Sequence, residues 1–471
     1  MQALLCGSQR GETKRMNRVA GRAGVVVLLA LLLIAGMCFF VFEYICNADD
    51  WVMFSGSPHI YEEGKLSCGV VTDREGILLL DMSEDRVYSL DADLRKATVH
   101  WLGDRFGNID MPAYSAYANE IVGFDYLNGV YNYGEGIGVI STTFSAELQK
   151  VALEAMGDYK GTVAVYNYKT GELLCAVTTP TYDPDNVPDI ANDSTGAYEG
   201  MYLNRFTQSV YTPGSIFKIV TLMAALDHIP GVEERKFVCT GSCTVGADVV
   251  NCDDIHWDQT LKMAFRNSCN CAFAELALEL GAETLDRYAR QFGVTDPVSF
   301  DGLTTTKGNF EVLDSADVNV AWASIGQYND LVNPCAFLTY IGAVANGGKG
   351  TIPHFVKSIR IGDAVTYSAK TQMGERIMSA TTVKKVQEYM AFNVENKYGS
   401  ENFPGLTVCA KTGTAEVGGG KKPNAMLAGF VQDEQYPVAF IVCVEDAGYG
   451  KTVCIPIASQ ILAACKAVFE G

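Results

Sequence analysis

The feature that most constrains this chain is a run of nineteen uncharged residues near its start, GVVVLLALLLIAGMCFFVF, Gly24–Phe42. As a helix rising about 1.5 Å per residue, it nearly spans a hydrocarbon layer of about 30 Å. Arg10, Lys14, Arg15, Arg18 and Arg22 precede it, against one acid, Glu12. Basic flanks stay on the cytoplasmic side. The spacing therefore predicts a cytoplasmic tail over 1–23, a single transmembrane helix over 24–42, and everything after Glu43 outside. The run is long for a cleaved signal peptide, and no small-x-small site follows it cleanly. Met37 before Cys38 is too bulky for a lipoprotein signal.

The remaining chain is long enough for a large core. Of its 471 residues, 48% are hydrophobic and 19% charged, a globular balance. The net charge of −19 argues against a nucleic-acid partner, whose phosphates would be repelled. Most of the 15 cysteines fall outside the membrane, where disulfides are permitted. In CTGSCTVGADVVNC a tight loop makes a Cys239–Cys252 bridge plausible, with free thiols the alternative. A metal site would have to add Asp253, Asp254 or His256, and that spacing fits no regular zinc signature. No metal is expected on these grounds.

Residues 43–145 read as a small extracytoplasmic pedestal, with a hairpin split at Asp73–Gly76. From FSAELQKVALEAM onward the pattern turns helical. GTVAVYNYKTGELLCAVTT then reads as two strands about a Lys169-Thr170-Gly171 turn. TLKMAFRNSCNCAFAELALELG is two helices interrupted at Asn267–Asn270, and VNPCAFLTYIGAVANGGK a helix stopped by Gly347-Gly348. LTVCAKTGTAEV, MLAGFVQ and PVAFIVCVE read as three consecutive antiparallel strands, closed by a helix over about 455–468. The fold class is α+β: an antiparallel sheet covered by helices, with an inserted all-helical subdomain over part of 146–471.

Three short motifs carry chemistry. In YTPGSIFKIVT, Ser215 and Lys218 stand at i and i+3, where side chains on a helix are neighbours. The lysine opens an all-round apolar helix, which is a buried one. Burial and the helix N-terminus depress its pKa, so it can act as a base towards the serine. Ser268-Cys269-Asn270 sits in the helix interruption, where a hydroxyl can pass a proton and a carboxamide can hold an amide. The competing reading there is helix capping at Cys271. Lys411-Thr412-Gly413-Thr414 lies in a strand: the lysine supplies charge, the threonines a carboxylate site, the glycine close backbone approach. The same tripeptide at Lys169 fits a hairpin turn and is assigned no chemistry.

S-x-x-K, S-x-N and K-T-G in this order resemble the penicillin-binding proteins and serine β-lactamases. The blocks around them, such as RFTQSVYTPGSIFKIVT, MAFRNSCNCAFAELA and SIGQYNDLVNPCAFLTYIGAVANGGK, resemble the class B penicillin-binding transpeptidase domain from about residue 145 to the end. The whole is similar to the short, monofunctional members of that class. The resemblance implies a bacterial cell membrane protein that cross-links peptidoglycan stem peptides ending in D-Ala-D-Ala and that binds penicillin and other β-lactams. It implies Ser215 as acylated nucleophile, Lys218 as its base and Ser268 as proton relay. Asn270 would bind the donor's side-chain amide, Lys411 would support the proton network, and Thr412 and Thr414 would receive the terminal carboxylate. The N–H groups of Ser215 and Thr414 would form the oxyanion hole. No cofactor is implied. A SEDS-type glycan polymerase in the membrane is the implied partner. Two departures stand out: Trp257 follows His256 where a glycine is usual, and NAMLAGF is less aromatic than the usual strand after K-T-G.

The alternatives are water as acceptor, as in a carboxypeptidase or β-lactamase, or a non-catalytic sensor or scaffold. No E-x-x-L-N-like element lies between Ser268 and Lys411, and a tail of about 23 residues leaves no room for a signalling domain.

Overall fold

The computed structural model describes residues 2–52, 61–62, 65–66, 69–82, 86–123, 138–190 and 192–470. One helix, Gln2–Val52, contains the whole uncharged run, and the large apolar side chains from Val25 to Phe42 are exposed along it. The stretch long and apolar enough to cross a membrane is Arg15–Asn47. A second helix that passes by length and composition, Gly450–Glu470, is instead part of the folded core, burying Val453, Ile457, Ile461 and Leu462.

The central sheet has five antiparallel strands in the order Val408–Ala415, Asn424–Val431, Val438–Val444, Gly161–Asn167, Leu173–Thr179. The hairpin and the three consecutive strands read from the sequence are all present. Val438 pairs with Asn167 and Val444 with Gly161, so the early hairpin is added beside the late strands. These strands are buried on both faces, which is why they read as continuous apolar runs rather than alternating ones. One face packs Val163, Leu427 and Val442 against Ile457, Ile461 and Leu462. The other packs Tyr166, Met426 and Ile441 towards Ile341 and Val344 of the helix Pro334–Ala345. Each such aliphatic side chain contributes about 1.5–3 kcal/mol by leaving water.

The inserted helices include Lys218–His228, Leu261–Asn267, Asn270–Leu280 and Ala282–Gln291. Among them lie two ribbons of four-residue strands, Lys236–Cys239 with Trp257–Thr260 and Ser242–Val245 with Asp248–Asn251. The copy Lys169-Thr170-Gly171 is a hairpin turn, as read. Asn167 Oδ1 accepts from the N–H groups of Lys169 and Thr170, and Gly171 takes φ +88°.

The membrane-proximal segment shares its sheet with the rest. Val70–Thr72, Leu78–Asp81, Val87–Tyr88 and Gly138–Thr142 form one six-stranded sheet with Val356–Ile361 and Ala364–Ser368. The hairpin at Asp73–Gly76 is there, held by Asp73 Oδ1 accepting from Glu75 and Ile77 N–H at 2.8 Å. Trp101 packs on Phe144 and Phe355, with ring centroids 5.2 and 4.8 Å away. Sheet and core therefore cross the boundary expected at residue 145. A boundary inferred from where homology-like blocks begin does not register strands that return from 356–368. Parts of the expected pedestal, 53–60, 63–64, 67–68, 83–85 and 124–137, lie outside the described residues.

Candidate active site

Ser215 lies in a tight turn, Gly214–Ile216, that runs directly into the helix Lys218–His228. Gly214 has φ +54°, and a Cβ there would sit 2.5 Å from Thr414 O. Its N–H donates to Gly326 O at 2.8 Å, and a Cβ on Gly326 would in turn strike the Gly214 backbone. Two glycines thus let the serine turn press between the strand Val408–Ala415 and the Gly326 turn. Tyr211, just upstream, pairs with Val332. Its hydroxyl donates at 3.0 Å to Glu445, which also receives buried Arg205 at 2.8 Å and Lys160 at 3.2 Å. Burial alone would raise the Glu445 pKa; Arg205 and Lys160 outweigh it and hold the carboxylate ionised.

The helix carries Lys218 into the interior, where it is fully buried. Its Nζ lies 3.0 Å from Ser215 Oγ, 2.6 Å from Asn270 Oδ1, and 2.7 and 3.2 Å from Ser268 O and Oγ. Burial pulls its pKa down to about 8. A neutral amine has two N–H donors and one lone pair. Its donors are taken by the two closest acceptors, Asn270 Oδ1 and Ser268 O, which leaves the lone pair for the Ser215 hydroxyl proton.

Ser268 ends the helix Leu261–Asn267 with φ +61°, and Asn270 begins the next. Asn270 does not cap: the N-cap position is Cys269, without a side-chain cap bond. The capping reading fails because the carboxamide is spent elsewhere, on Lys218 and, through Nδ2, on Asn251 O at 2.9 Å.

Lys411, also fully buried, donates to Ser268 Oγ at 3.0 Å and to Thr412 O at 2.8 Å. Burial, then the charges of Lys218 and Lys397, push its pKa well below the usual lysine range. Thr412 and Thr414 are partly exposed on the same strand. Tyr398 OH bonds Thr412 Oγ1 and accepts from its N–H, both at 3.1 Å, and Gly450 N–H reaches Thr414 Oγ1 at 3.5 Å. The reason expected for Gly413 needs correcting. Its Cβ would lie 2.8 Å from Pro213 O and 3.1 Å from Ile216 Cγ2, so its lack of a side chain seats the strand against the serine turn.

Seven sequence-predicted side chains and Gly413 thus converge from three separated segments. Tyr398, Arg205 and Gly326 escaped the sequence reading. Arg205 and Gly326 sit inside the family-like blocks RFTQSVYTPGSIFKIVT and SIGQYNDLVNPCAFLTYIGAVANGGK, while Tyr398 is the last residue of an unusual π-turn, Val394–Tyr398, without a motif of its own. The Cys239–Cys252 bridge is not formed: both are free thiols, with Cys252 Sγ nearest Cys269 Sγ at 3.9 Å and Cys239 Sγ nearest Cys271 Sγ at 3.6 Å. Trp257, at the position where glycine is usual, adopts φ +51°, the conformation a glycine would take without strain.

This geometry has known counterparts. Residues 161–463 match the penicillin binding protein transpeptidase domain family. The peptidoglycan D,D-transpeptidase PbpA of Mycobacterium tuberculosis is 30% identical over 363 residues, covering 69% of this chain and 72% of that protein. Stage V sporulation protein D of Bacillus subtilis is 29% identical over 341 residues, covering 69% of this chain and 51% of its own. The structure of M. tuberculosis penicillin-binding protein A as an imipenem acyl-enzyme superposes with a TM-score of 0.71 at 25% identity, covering 84% of this chain and 98% of that one. With its match running from the first strand of the central sheet into the last helix, the chain belongs to the penicillin-binding protein transpeptidase family.

Proposed function

We propose that this protein is a membrane-anchored peptidoglycan D,D-transpeptidase working through an acyl-enzyme on Ser215. The observation that carries this reading is the contact of 3.0 Å between Ser215 Oγ and the buried, partly neutral Lys218 Nζ. Lys218 takes the hydroxyl proton as Oγ attacks the carbonyl carbon of the penultimate D-Ala. The developing oxyanion is met by the N–H groups of Ser215 and Thr414, whose backbones the glycine at 214 brings together. The C–N bond to the terminal D-Ala breaks. Its leaving nitrogen is protonated through Ser268, which both lysines touch. An amine from a neighbouring stem peptide then attacks the ester, gives up a proton along the same relay and frees Ser215.

Thr412 and Thr414 line the strand where the terminal carboxylate binds, beside the side chain of Lys411. Asn270 holds the donor's amide through whatever bonding capacity Lys218 and Asn251 leave it. A β-lactam enters the same path because its strained amide offers the same carbonyl, and the imipenem acyl-enzyme of the M. tuberculosis relative is in keeping with that. Cytoplasmic residues 1–23, an anchor over 24–42, and a partnership in the membrane with a SEDS-type polymerase complete the proposal, as do a membrane-proximal segment 43–145 and a catalytic domain 146–471.

Mass spectrometry of the purified protein after penicillin treatment tests it. A single adduct mapping to the Ser215 peptide, absent in Ser215→Ala, is expected. An unmodified Ser215 under conditions that label another family member would end the reading. Rapid multiple turnover of a chromogenic cephalosporin would move it to a water-accepting enzyme.

A further inference from the structure

Behind the Ser268–Asn270 loop, four side chains bring Sγ of Cys239, Cys252 and Cys269 and a ring nitrogen of His256 within 4.8 Å of one another. We propose that this cluster is a structural zinc site that holds the loop between Ser268 and Asn270 in place. A tetrahedral zinc has Zn–S near 2.3 Å and Zn–N near 2.0–2.1 Å. Those lengths require sulfur atoms about 3.8 Å apart and sulfur and nitrogen about 3.6 Å apart. Cys252 Sγ stands 3.9 Å from Cys269 Sγ and 3.5 Å from His256 Nδ1. Thiolates with imidazole are the donor set that selects zinc over harder cations. Four protein ligands leave no open position, so the ion is structural rather than catalytic. On binding, three thiols release their protons to solvent and neutral His256 binds through the Nδ1 lone pair. With Zn²⁺ the centre carries a net charge of −1.

The surroundings suit such a centre. Asn270 N–H donates to Cys252 Sγ at 3.3 Å, the kind of outer bond that orients a metal thiolate. Cys252 N–H donates to Gly241 O at 2.9 Å and His256 N–H to Cys239 O at 3.2 Å, so the ligand backbones are tied to one another. Cys239 and Cys269 are buried while Cys252 and His256 are partly exposed, which leaves a way in for the ion. Cys239 ends one four-residue strand, and Cys252 and His256 stand just outside the strands of the two ribbons, which rest on the helix Asn270–Leu280 through Val245 and Val250 packed near Ala274. A metal would cross-link these short ribbons to that helix's start. Sequence spacing alone set a metal aside because the fourth ligand, Cys269, comes from the helix corner thirteen residues past His256 and inside the S-x-N motif.

The consequence is positional. Cys269 has Ser268 on one side and Asn270 on the other, and both bond Lys218. Fixing its sulfur fixes both. That part rests on the proposed transpeptidase chemistry; the metal site itself does not.

The test uses the full chain, purified in detergent under reducing, chelator-free conditions, with zinc measured by elemental analysis. One zinc per chain is expected. Cobalt exchanged into the site should give the visible bands of tetrahedral thiolate coordination. Cys252→Ser and His256→Ala should lose the metal, while Cys243→Ser, a non-ligand neighbour, and Cys252→His should keep it. Stripping zinc should slow acylation by labelled penicillin by about tenfold to a hundredfold, restored on adding zinc back. Absence of zinc and of the cobalt spectrum in a folded chain that still reacts with penicillin would overturn the site. So would zinc retained in both Cys252→Ser and His256→Ala, or a Cys239–Cys271 or Cys252–Cys269 disulfide in protein whose thiols were alkylated in the cells before any reductant was added. Zinc bound by a chain that forms no penicillin adduct would instead overturn the transpeptidase reading and leave the site standing.

Discussion

Lys218 shows how much a single side chain is asked to do. With a pKa near 8 it is about one-tenth neutral at pH 7, against well under a thousandth for an ordinary lysine. Acylation by penicillin should therefore rise with pH and level off above about 8, provided Lys218 is the base; a rate flat between pH 6 and 9 would count against it. The same shift has a stability sign. The folded state holds the proton less tightly than the unfolded one, so the cost of the buried ammonium is fully present below about pH 8 and fades as pH rises towards the unfolded value near 10.5. Lys218→Met should abolish acylation. It should also narrow its stability gap with the parent in the parent's favour as pH is raised, by up to about 3 kcal/mol between pH 7 and 10.5. Chemical denaturation at the two pH values measures this. Trp257 is a second residue with a definite sign: exposed and held at φ +51°, it gains little from its side chain. Trp257→Gly should stabilise by about 0.5–1 kcal/mol, the relief of left-handed strain less the entropy of glycine; a lower melting temperature would contradict that.

At the scale of elements, the serine turn is held between neighbours that meet it from both sides. The strand Val408–Ala415 reaches it at Gly413 and Thr414, and the segment before it is tied by Arg205, Tyr211 and Glu445. Arg205 also donates to Gly200 O at 2.9 Å and Glu199 O at 3.2 Å, so losing it strands several acceptors and the Glu445 charge together. Arg205→Met should cost about 3–5 kcal/mol, and Arg205→Met with Glu445→Gln should recover part of that. Urea titration of the single and double variants decides it, and additive losses would mean that the pair is not coupled. The strands and helices themselves were legible in advance. Their apolar runs and glycine stops come from local chemistry, as with the helix Pro334–Ala345 ending before Gly347 and Gly348. The sheet shared by Gly138–Thr142 and Val356–Ile361 was not legible, because pairing across more than two hundred residues leaves no trace in either strand's own pattern.

For the whole molecule, the basic residues before the apolar run make the proposed orientation in the membrane testable. A membrane-impermeant maleimide added to intact cells should label Cys46, exposed just beyond the apolar run, and leave Cys6 unlabelled; labelling of Cys6 alone would invert the topology. The sequence by itself determined the long apolar helix near the start, the α+β class and the residues of the three motifs. Each of these is written in local terms: an uncharged length, a periodicity, a spacing of one helical turn. Only the tertiary structure decided what Asn270 bonds, why residue 413 has no side chain, and that Cys269 stands beside Cys252 and His256. Those facts depend on which distant segments share a few ångströms of space, and burial, which lowers the pKa of Lys218 and Lys411, exists only once the core has closed around them.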